Sequence, residues 1–577
     1  MAIAVLCSLA VLIILLIKTH WSPSFLFTSC ASFFLMLGWI DSQSFLSSYS
    51  NSGLATLILI LLVSLALEKS PLIQLCADRM LLGKAWQIKL KVMLSTAVIS
   101  AFLNNTAVVA AFLGSLKKQT KIPAAKILIP LSYASILGGA TTLIGTSTNL
   151  VVNSFVVDAN LPSLGLFQFA WVGVPTALIC IAIMLWTNRW LGNDTQDTQY
   201  SDNHNYFLSA RVQSDSKLIG HTICENNLRQ LDGLFLLELE RNGQLFSPVS
   251  PHERIQENDV LVFTGDKEKL HPLSQLSNLE ILGEQTHQLL KSNLVEVIVS
   301  HSSILINKTL QEVDFRTLFS AGVVAIRRGS NRLQGQLGHI PLKAGDSLLL
   351  AVSNDFSQHR NIERNFHIIK GSLQRAQLSF SDSVIVTGGF LTVISLAALS
   401  IINLFTGMLL FLGVLLLRKA LSVDELRRRF PFDLLLIIGA ALTIAKTLES
   451  SGAAALLANG LVSFLDGYSP YVMLIGLYLL TLILTEFITN NAAAALTFPI
   501  ALSTAQVLQL DPMPFIMAIA YAASACFMFP YGYQTHLMVF TPGRYRLKDF
   551  IVSGLPVSIG YSISVLALIP LVFPFTT

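Results

Sequence analysis

Of the 577 residues, 53% are hydrophobic and 12% charged, where a soluble domain carries about 25% charged residues, so the chain reads as an integral membrane protein. The net charge of +4 is too small to suggest a nucleic-acid partner. The six cysteines form no Cys-x-x-Cys pair, and all but Cys224 lie in or beside apolar runs, which marks them as reduced packing residues.

In chain order, apolar runs near 2–17, 22–40 and 52–67 predict three spans. The first has no basic residue before it and no clear small-residue cleavage site, so it is kept as a membrane helix. A hairpin is expected over 92–116, followed by a long span at 124–158 and another at 165–188. The long span is broken at Gly138-Gly139 and again at Gly145-Thr146-Ser147-Thr148-Asn149. From about 191 to 378 the chain is polar, charged and rich in short alternating runs. Spans resume at 383–402, 404–417 and 432–448, then a second hairpin at 469–508, a second broken span at 512–540 and a last span at 551–574. The second break is Gly532-Tyr533-Gln534-Thr535-His536.

Each hairpin sets amides inside an apolar run: Asn104-Asn105-Thr106 in the first, Thr489-Asn490-Asn491 in the second. A helix in lipid satisfies its own backbone but not a carboxamide, so each cluster has to face protein, water or a ligand. From Asn105 to Gly145 is 40 residues, and from Asn490 to Gly532 is 42. Matching interruptions in two halves point to the binding site of a transporter. The expected fold is an all-α polytopic membrane protein of two inverted repeats, 1–190 and 380–577. Each has five transmembrane helices and a re-entrant hairpin, and an α/β insert separates them. With both hairpins re-entrant, all the basic clusters share one face. They are Lys69 to Lys91, Lys117 to Lys126, Arg418 to Arg429 and Arg544 to Lys548. That face should be the cytoplasm, with the insert on it and both termini outside.

The insert repeats itself at an offset of 87. Leu218-Ile219-Gly220-His221-Thr222 matches Leu305-Ile306-Asn307-Lys308-Thr309, Arg241 matches Arg328, and Asp259 matches Asp346. Two small α/β modules follow, at 206–272 and 289–354. Arg327-Arg328 reads as a solvated pair, with a small anionic regulator as the alternative.

Where half-helices meet, amide N–H groups suit an anion and carbonyl oxygens suit a hard cation such as Na⁺. The plainer reading, that the Asn side chains only bond neighbouring helices, is weakened by the pairing of both clusters and both breaks. His536 reads first as a neutral, hydrogen-bonded ring and second as a proton carrier. Glu68 and Glu449 read as solvated or interfacial, and Glu486 as a hairpin cap or a helix–helix contact rather than a ligand. No catalytic triad, metal cluster or phosphate loop is present, so no enzyme and no organic cofactor are expected.

The hairpin signatures resemble those of the divalent anion/sodium symporter family. So do Ile129-Pro130-Leu131-Ser132-Tyr133 with the first break, and Gly532-Tyr533-Gln534-Thr535 with Pro542-Gly543. Two inserts similar to the TrkA-C (RCK C-terminal) domain narrow the resemblance to the sulfate-permease-like branch. The resemblance implies sodium sites at Asn105, Gly145, Thr146 and Asn149 and at Thr489, Asn490, Gly532 and Thr535. It implies a substrate site of Asn104, Asn105, Thr106, Ser147, Asn490, Asn491, Tyr533, Gln534 and His536. Asn104 and Asn491 stand where dicarboxylate carriers have hydroxyls, His536 where Asn is usual, and Arg544 where a small residue is usual. The implied protein is a homodimeric, elevator-type carrier in the inner (plasma) membrane. It takes up a sulfate-like dianion with Na⁺, a proton being the other coupling ion considered. A C4-dicarboxylate symporter and a sulfur-nutrient sensor are the alternatives.

Overall fold

The computed structural model describes residues 1–19, 21–118, 122–190, 378–464 and 469–576 of the apolar parts. Of the insert it describes 207–226, 228, 234–242, 244–246, 249–250, 252–265, 279–282, 294–301, 303–333, 337–352, 356 and 362–370. Lys121 and the expected module ends at 206, 266–272, 289–293 and 353–354 lie outside the described residues.

Among the described residues, ten α-helices precede the insert: α1 (Ala2–Lys18), α2 (Pro23–Met36), α3 (Ser42–Tyr49), α4 (Ser52–Glu68), α5 (Pro71–Met80), α6 (Ala85–Ser100), α7 (Asn105–Lys118), α8 (Leu128–Gly139), α9 (Ser147–Asp158) and α10 (Ala170–Thr187). Ten follow it: α11 (Phe380–Ala398), α12 (Leu404–Leu417), α13 (Val423–Arg428), α14 (Phe432–Ser450), α15 (Ala453–Phe464), α16 (Pro470–Phe487), α17 (Asn490–Leu508), α18 (Met513–Ala523), α19 (Gln534–Phe540) and α20 (Leu547–Val572). Starts follow local chemistry. Asn51 accepts from Gly53 N and Asn403 from Phe405 N, while proline stands at the first turn of α2, α5 and α16. Among the described residues, six helical stretches are long and apolar enough to cross a membrane, in a mostly helical chain.

The order of elements repeats. Asn490 follows Asn105 by 385 residues, Met513 follows Leu128 by 385, and Gln534 follows Ser147 by 387. Packing repeats with it. Helix α2 lies on α14 as α12 lies on α4, and α6 on α8 as α16 on α18. Helix α9 meets α17 as α7 meets α19, and α10 packs along α20. Each broken span is held by a glycine of the helix that follows it. A β-carbon on Gly173 would stand 2.9 Å from Ala140 O, and one on Gly554 would stand 2.2 Å from Phe527 O.

The first hairpin starts at Ala85, seven residues before the apolar run suggested, because Lys89 and Lys91 interrupt the hydropathy without interrupting the helix. Lys89 Nζ reaches Asn188 Oδ1 at 3.3 Å, and Lys91 Nζ reaches Leu82 O at 3.1 Å. Helices α3, α5, α13 and α15 were not foreseen, being short or weakly apolar. Charges gather at the two ends of α4, whose 17 residues span about 25 Å. At one end Lys69 pairs with Glu425 at 2.5 Å and Arg429 with Glu68 at 3.7 Å. Near the other end, Lys446 pairs with Asp158 at 3.1 Å beside a cavity of about 190 Å³ lined also by Glu449 and Ser503.

The insert folds into two five-stranded antiparallel sheets. The first holds β1 (Phe207–Val212), β2 (Leu234–Arg241), β3 (Gln244–Phe246), β4 (Val260–Gly265) and β5 (Leu279–Leu282), in the order β3-β2-β4-β1-β5. The second holds β6 (Leu294–Val299), β7 (Ala321–Arg328), β8 (Asn331–Arg332), β9 (Ser347–Val352) and β10 (Phe366–Lys370), in the order β10-β6-β9-β7-β8. The two orders are the same, strand for strand. The last strand of each sheet lies beyond the boundaries read from sequence, and the two last strands are again 87 residues apart. Arg241 forks onto Asp259 and Arg328 onto Asp346, each with paired 2.8 Å bonds, so Arg328 serves its own module's fold.

Candidate functional site

The last turn of α6 and the first of α7 make one tip. Ser100 Oγ donates to Asn105 Oδ1 at 2.5 Å, and Asn105 Nδ2 donates to Tyr533 OH at 2.7 Å. Thr106 Oγ1 donates to Gln534 Oε1 at 3.1 Å. The second tip, between α16 and α17, uses the same wiring. Thr485 Oγ1, again five residues upstream, donates to Asn490 Oδ1 at 2.9 Å. Asn491 Oδ1 accepts from Ser147 Oγ at 3.3 Å and Thr148 Oγ1 at 3.4 Å. Each tip is therefore tied to the helix that restarts the other half's broken span.

Burial sorts these residues into two layers. Asn105 and Asn490 are buried, at 3% and 9% exposure. In front of them Thr106, Ser147, Asn491 and Tyr533 are half-buried, and Asn104, Thr489 and Gln534 are exposed. The inner layer offers neutral oxygens. At the first tip a β-carbon on Gly139 would stand 2.6 Å from Asn105 Oδ1, and one on Gly145 would stand 2.6 Å from Gly139 O and 2.9 Å from Ala101 O. Two backbone segments and a carboxamide oxygen thus crowd one point, which only glycines permit. Thr142 Oγ1 donates to Ala101 O and accepts from Gly145 N at 3.1 Å, and Asn149 Nδ2 donates to Thr142 O at 2.8 Å, fixing the loop. At the second tip Thr485 Oγ1 also reaches Ala523 O at 2.7 Å. The next residue, Ser524, is 1% exposed and its hydroxyl has no hydrogen-bond partner among the described residues. A buried hydroxyl without a partner costs free energy, and it sits beside oxygens suited to a hard cation.

The outer layer suits an anion. The restarting helices α9 and α19 have Thr146 and Tyr533 at their N-caps, and neither caps through its side chain. The tips differ: Asn104 Oδ1 accepts from Thr106 N, and Thr489 Oγ1 accepts from Ala492 N. The open N–H groups are thus on the broken spans, not at the tips.

Two residues expected at the site face away from it. Thr535 is fully buried, with its hydroxyl 2.8 Å from Ser132 Oγ. His536 is fully buried among Tyr133, Tyr533 and Phe550, with Nε2 2.9 Å from Cys526 O and Nδ1 2.8 Å from Ser132 Oγ. A carbonyl can only accept, so Nε2 carries the proton and Nδ1 accepts from Ser132. Both ring nitrogens are used inside the protein, and this geometry gives the proton-carrier expectation no support. Gly532 packs on Cys526, where a β-carbon would stand 2.2 Å from Sγ.

Sequence reading missed Ser100, Thr485, Thr142 and Ser524. It placed Glu486 as a cap, and the carboxylate does hold the second break: it accepts from Cys526 Sγ at 3.3 Å and Met528 N at 3.4 Å.

A sequence profile described as citrate transporter (CitMHS) matches residues 5–522. The chain belongs to that family. Among relatives, an uncharacterized transporter of Synechocystis sp. is 28% identical over 566 residues, 93% of this chain and 92% of its own. A Chlamydomonas reinhardtii protein named as a candidate sulfur deprivation response regulator is 29% identical over 556 residues, 92% of this chain and 94% of its own. Sodium/sulfate cotransporter 1 of the same alga is 30% identical over 364 residues, 61% of this chain and 41% of that one. The chain is a membrane transporter of the citrate transporter family.

Proposed function

We propose that this transporter takes up a small dianion, sulfate or a similar sulfur oxyanion, together with Na⁺. The observation that carries the reading is the reciprocal bonding of the tips, Thr106 to Gln534 and Asn491 to Ser147. It joins the four interruptions of the two halves around one cleft. Cations at the inner oxygens would neutralise a dianion held in front of them by Thr106, Ser147, Asn491, Gln534 and the N–H groups opening α9. Ser100, Asn105 and Gly145 would serve the first cation, Thr485, Asn490 and Ser524 the second. The kinship with sodium/sulfate cotransporters favours sulfate over citrate or a C4-dicarboxylate. The matched helix order and swapped packing support two inverted repeats. An elevator-like displacement of the site-bearing helices, a homodimer, an inner-membrane location and a cytoplasmic, TrkA-C-like insert complete the proposal.

The test is uptake of labelled sulfate into proteoliposomes, with competition by thiosulfate, molybdate, succinate and citrate. Saturable uptake driven by an inward sodium gradient is expected. Uptake indifferent to sodium would sink the coupling, and preference for citrate or succinate would replace the cargo. A second reading, a sulfur-status sensor on a transporter body, is favoured by the full-length similarity to the algal regulator. It is distinguished by sulfate binding without turnover.

A further inference from the structure

The insert reaches the site itself. Residue His301 lies in the turn that follows β6, and its Nε2 is 2.8 Å from Gln534 Nε2. Because Gln534 Oε1 accepts from Thr106, the amide group left for the imidazole is the NH₂, so Gln534 donates and a neutral His301 accepts. Burial lowers the pKa of the ring, and Asp433, in the first turn of α14, acts in the opposite direction. The contact is not a chance touch of a swinging domain, because the same module is fastened lower down. Gly329 N donates to Thr541 Oγ1 at 3.3 Å, and Thr541 Oγ1 donates to Gly345 O at 2.6 Å. Leu537 packs against Gly345, and β10 packs on α7. The second module is thus seated on α7 and α19, the two helices whose first turns carry Thr106 and Gln534.

We propose that the second module of the insert is a built-in gate on the transport site, with His301 holding the Gln534 N–H that a bound anion would otherwise take. The inference rests on the cleft between the tips being the transport site. A dianion has only acceptor oxygens, and so has the neutral imidazole nitrogen; the two compete for one donor. Passage through the face covered by the insert requires the 300–301 turn to withdraw, while the Thr541 contacts set how readily it does so. The module therefore restrains transport until it is lifted.

The test reads access rather than cargo. In the full-length protein, the exposed cysteines Cys7, Cys76 and Cys224 are changed to serine and Ser147→Cys, in the same cleft but not bonded to Gln534, is introduced as a reporter. Its reaction with a charged maleimide is timed in detergent, where the reagent reaches both faces. With His301 present, labelling should be slow. His301→Ala should accelerate it at least fivefold, and Thr541→Val, which loosens only the seat, should accelerate it two- to threefold. His301→Gln, whose amide oxygen can accept the same N–H, should stay near the parent rate. Equal labelling in the parent and in His301→Ala overturns the gate, even if sulfate uptake is intact. Absent sodium-driven uptake by the unsubstituted chain, with accelerated labelling in the His301→Ala reporter protein, would fell the cargo assignment and leave the gate standing.

Discussion

The two tips share one wiring diagram and differ in charge. At each, a hydroxyl five residues upstream holds the buried Asn, and the following residue crosses to the other half. Where the first tip has Ala101 and Gly139, however, the second has Glu486 and Ser524 at the same 385-residue spacing. The first break is tied down by a neutral hydroxyl, Thr142, and the second by a carboxylate that accepts from Cys526 and Met528. Equal geometry with unequal charge means that two cations held there would not be equivalent. The second environment holds an ionisable carboxyl group at its break where the first holds none, in surroundings where Coulomb interactions are weakly screened.

Mutations can break or sharpen that contrast. The largest effect is expected where the tips are alike. Asn105→Ala or Asn490→Ala each removes a carboxamide that would serve an ion under the proposed function, and a charge-assisted contact is worth about 1.5–3 kcal/mol, or roughly 10- to 150-fold. Uptake should fall about 100-fold in both variants, with similar protein yield; a large loss in one and none in the other would show that only one tip works. Next comes the carboxylate. Glu486→Gln should raise the sodium concentration for half-maximal uptake about tenfold, measured as a sodium titration at saturating anion, whereas Thr142→Val should leave it within about twofold. Equal shifts would erase the electrical distinction. Ser524→Ala should raise the half-saturating sodium a few-fold while thermal stability holds or improves, because no hydrogen bond is lost. A fall in stability without a change in sodium dependence would assign the hydroxyl to packing. The smallest effect is at a cap: Thr489→Ala should cost about 0.5–1 kcal/mol in thermal unfolding, the low end for a cap because its bond is 3.4 Å long.

Much of this arrangement is legible in the chain before any coordinates. Long apolar runs gave the spans, and paired amides gave both tips, because lipid makes an unsolvated carboxamide too costly to be incidental. Ser100 and Thr485 stayed hidden for a physical reason. Serine and threonine inside helices commonly bond back to the fourth preceding carbonyl, as Thr481 does to Leu477 and Ser564 to Gly560, so a further hydroxyl carries little signal. Helices α5 and α15 are short and leave no long apolar run. Within the insert the 87-residue offset pointed to two repeated modules, but the seat on α19 joins residues about 200 positions apart or more, which no local pattern encodes.

The close fit of Gly173 on Ala140 and of Gly554 on Phe527 has a mechanical consequence. Each break is clamped by a long neighbouring helix, and those two helices, α10 and α20, lie along each other. Neither loop has slack to flex alone, so whatever is captured between them is carried by a single casting. If transport displaces the site-bearing helices as proposed, the travel would come from slippage against α4 and α14, and the Lys446–Asp158 pair would part on every stroke.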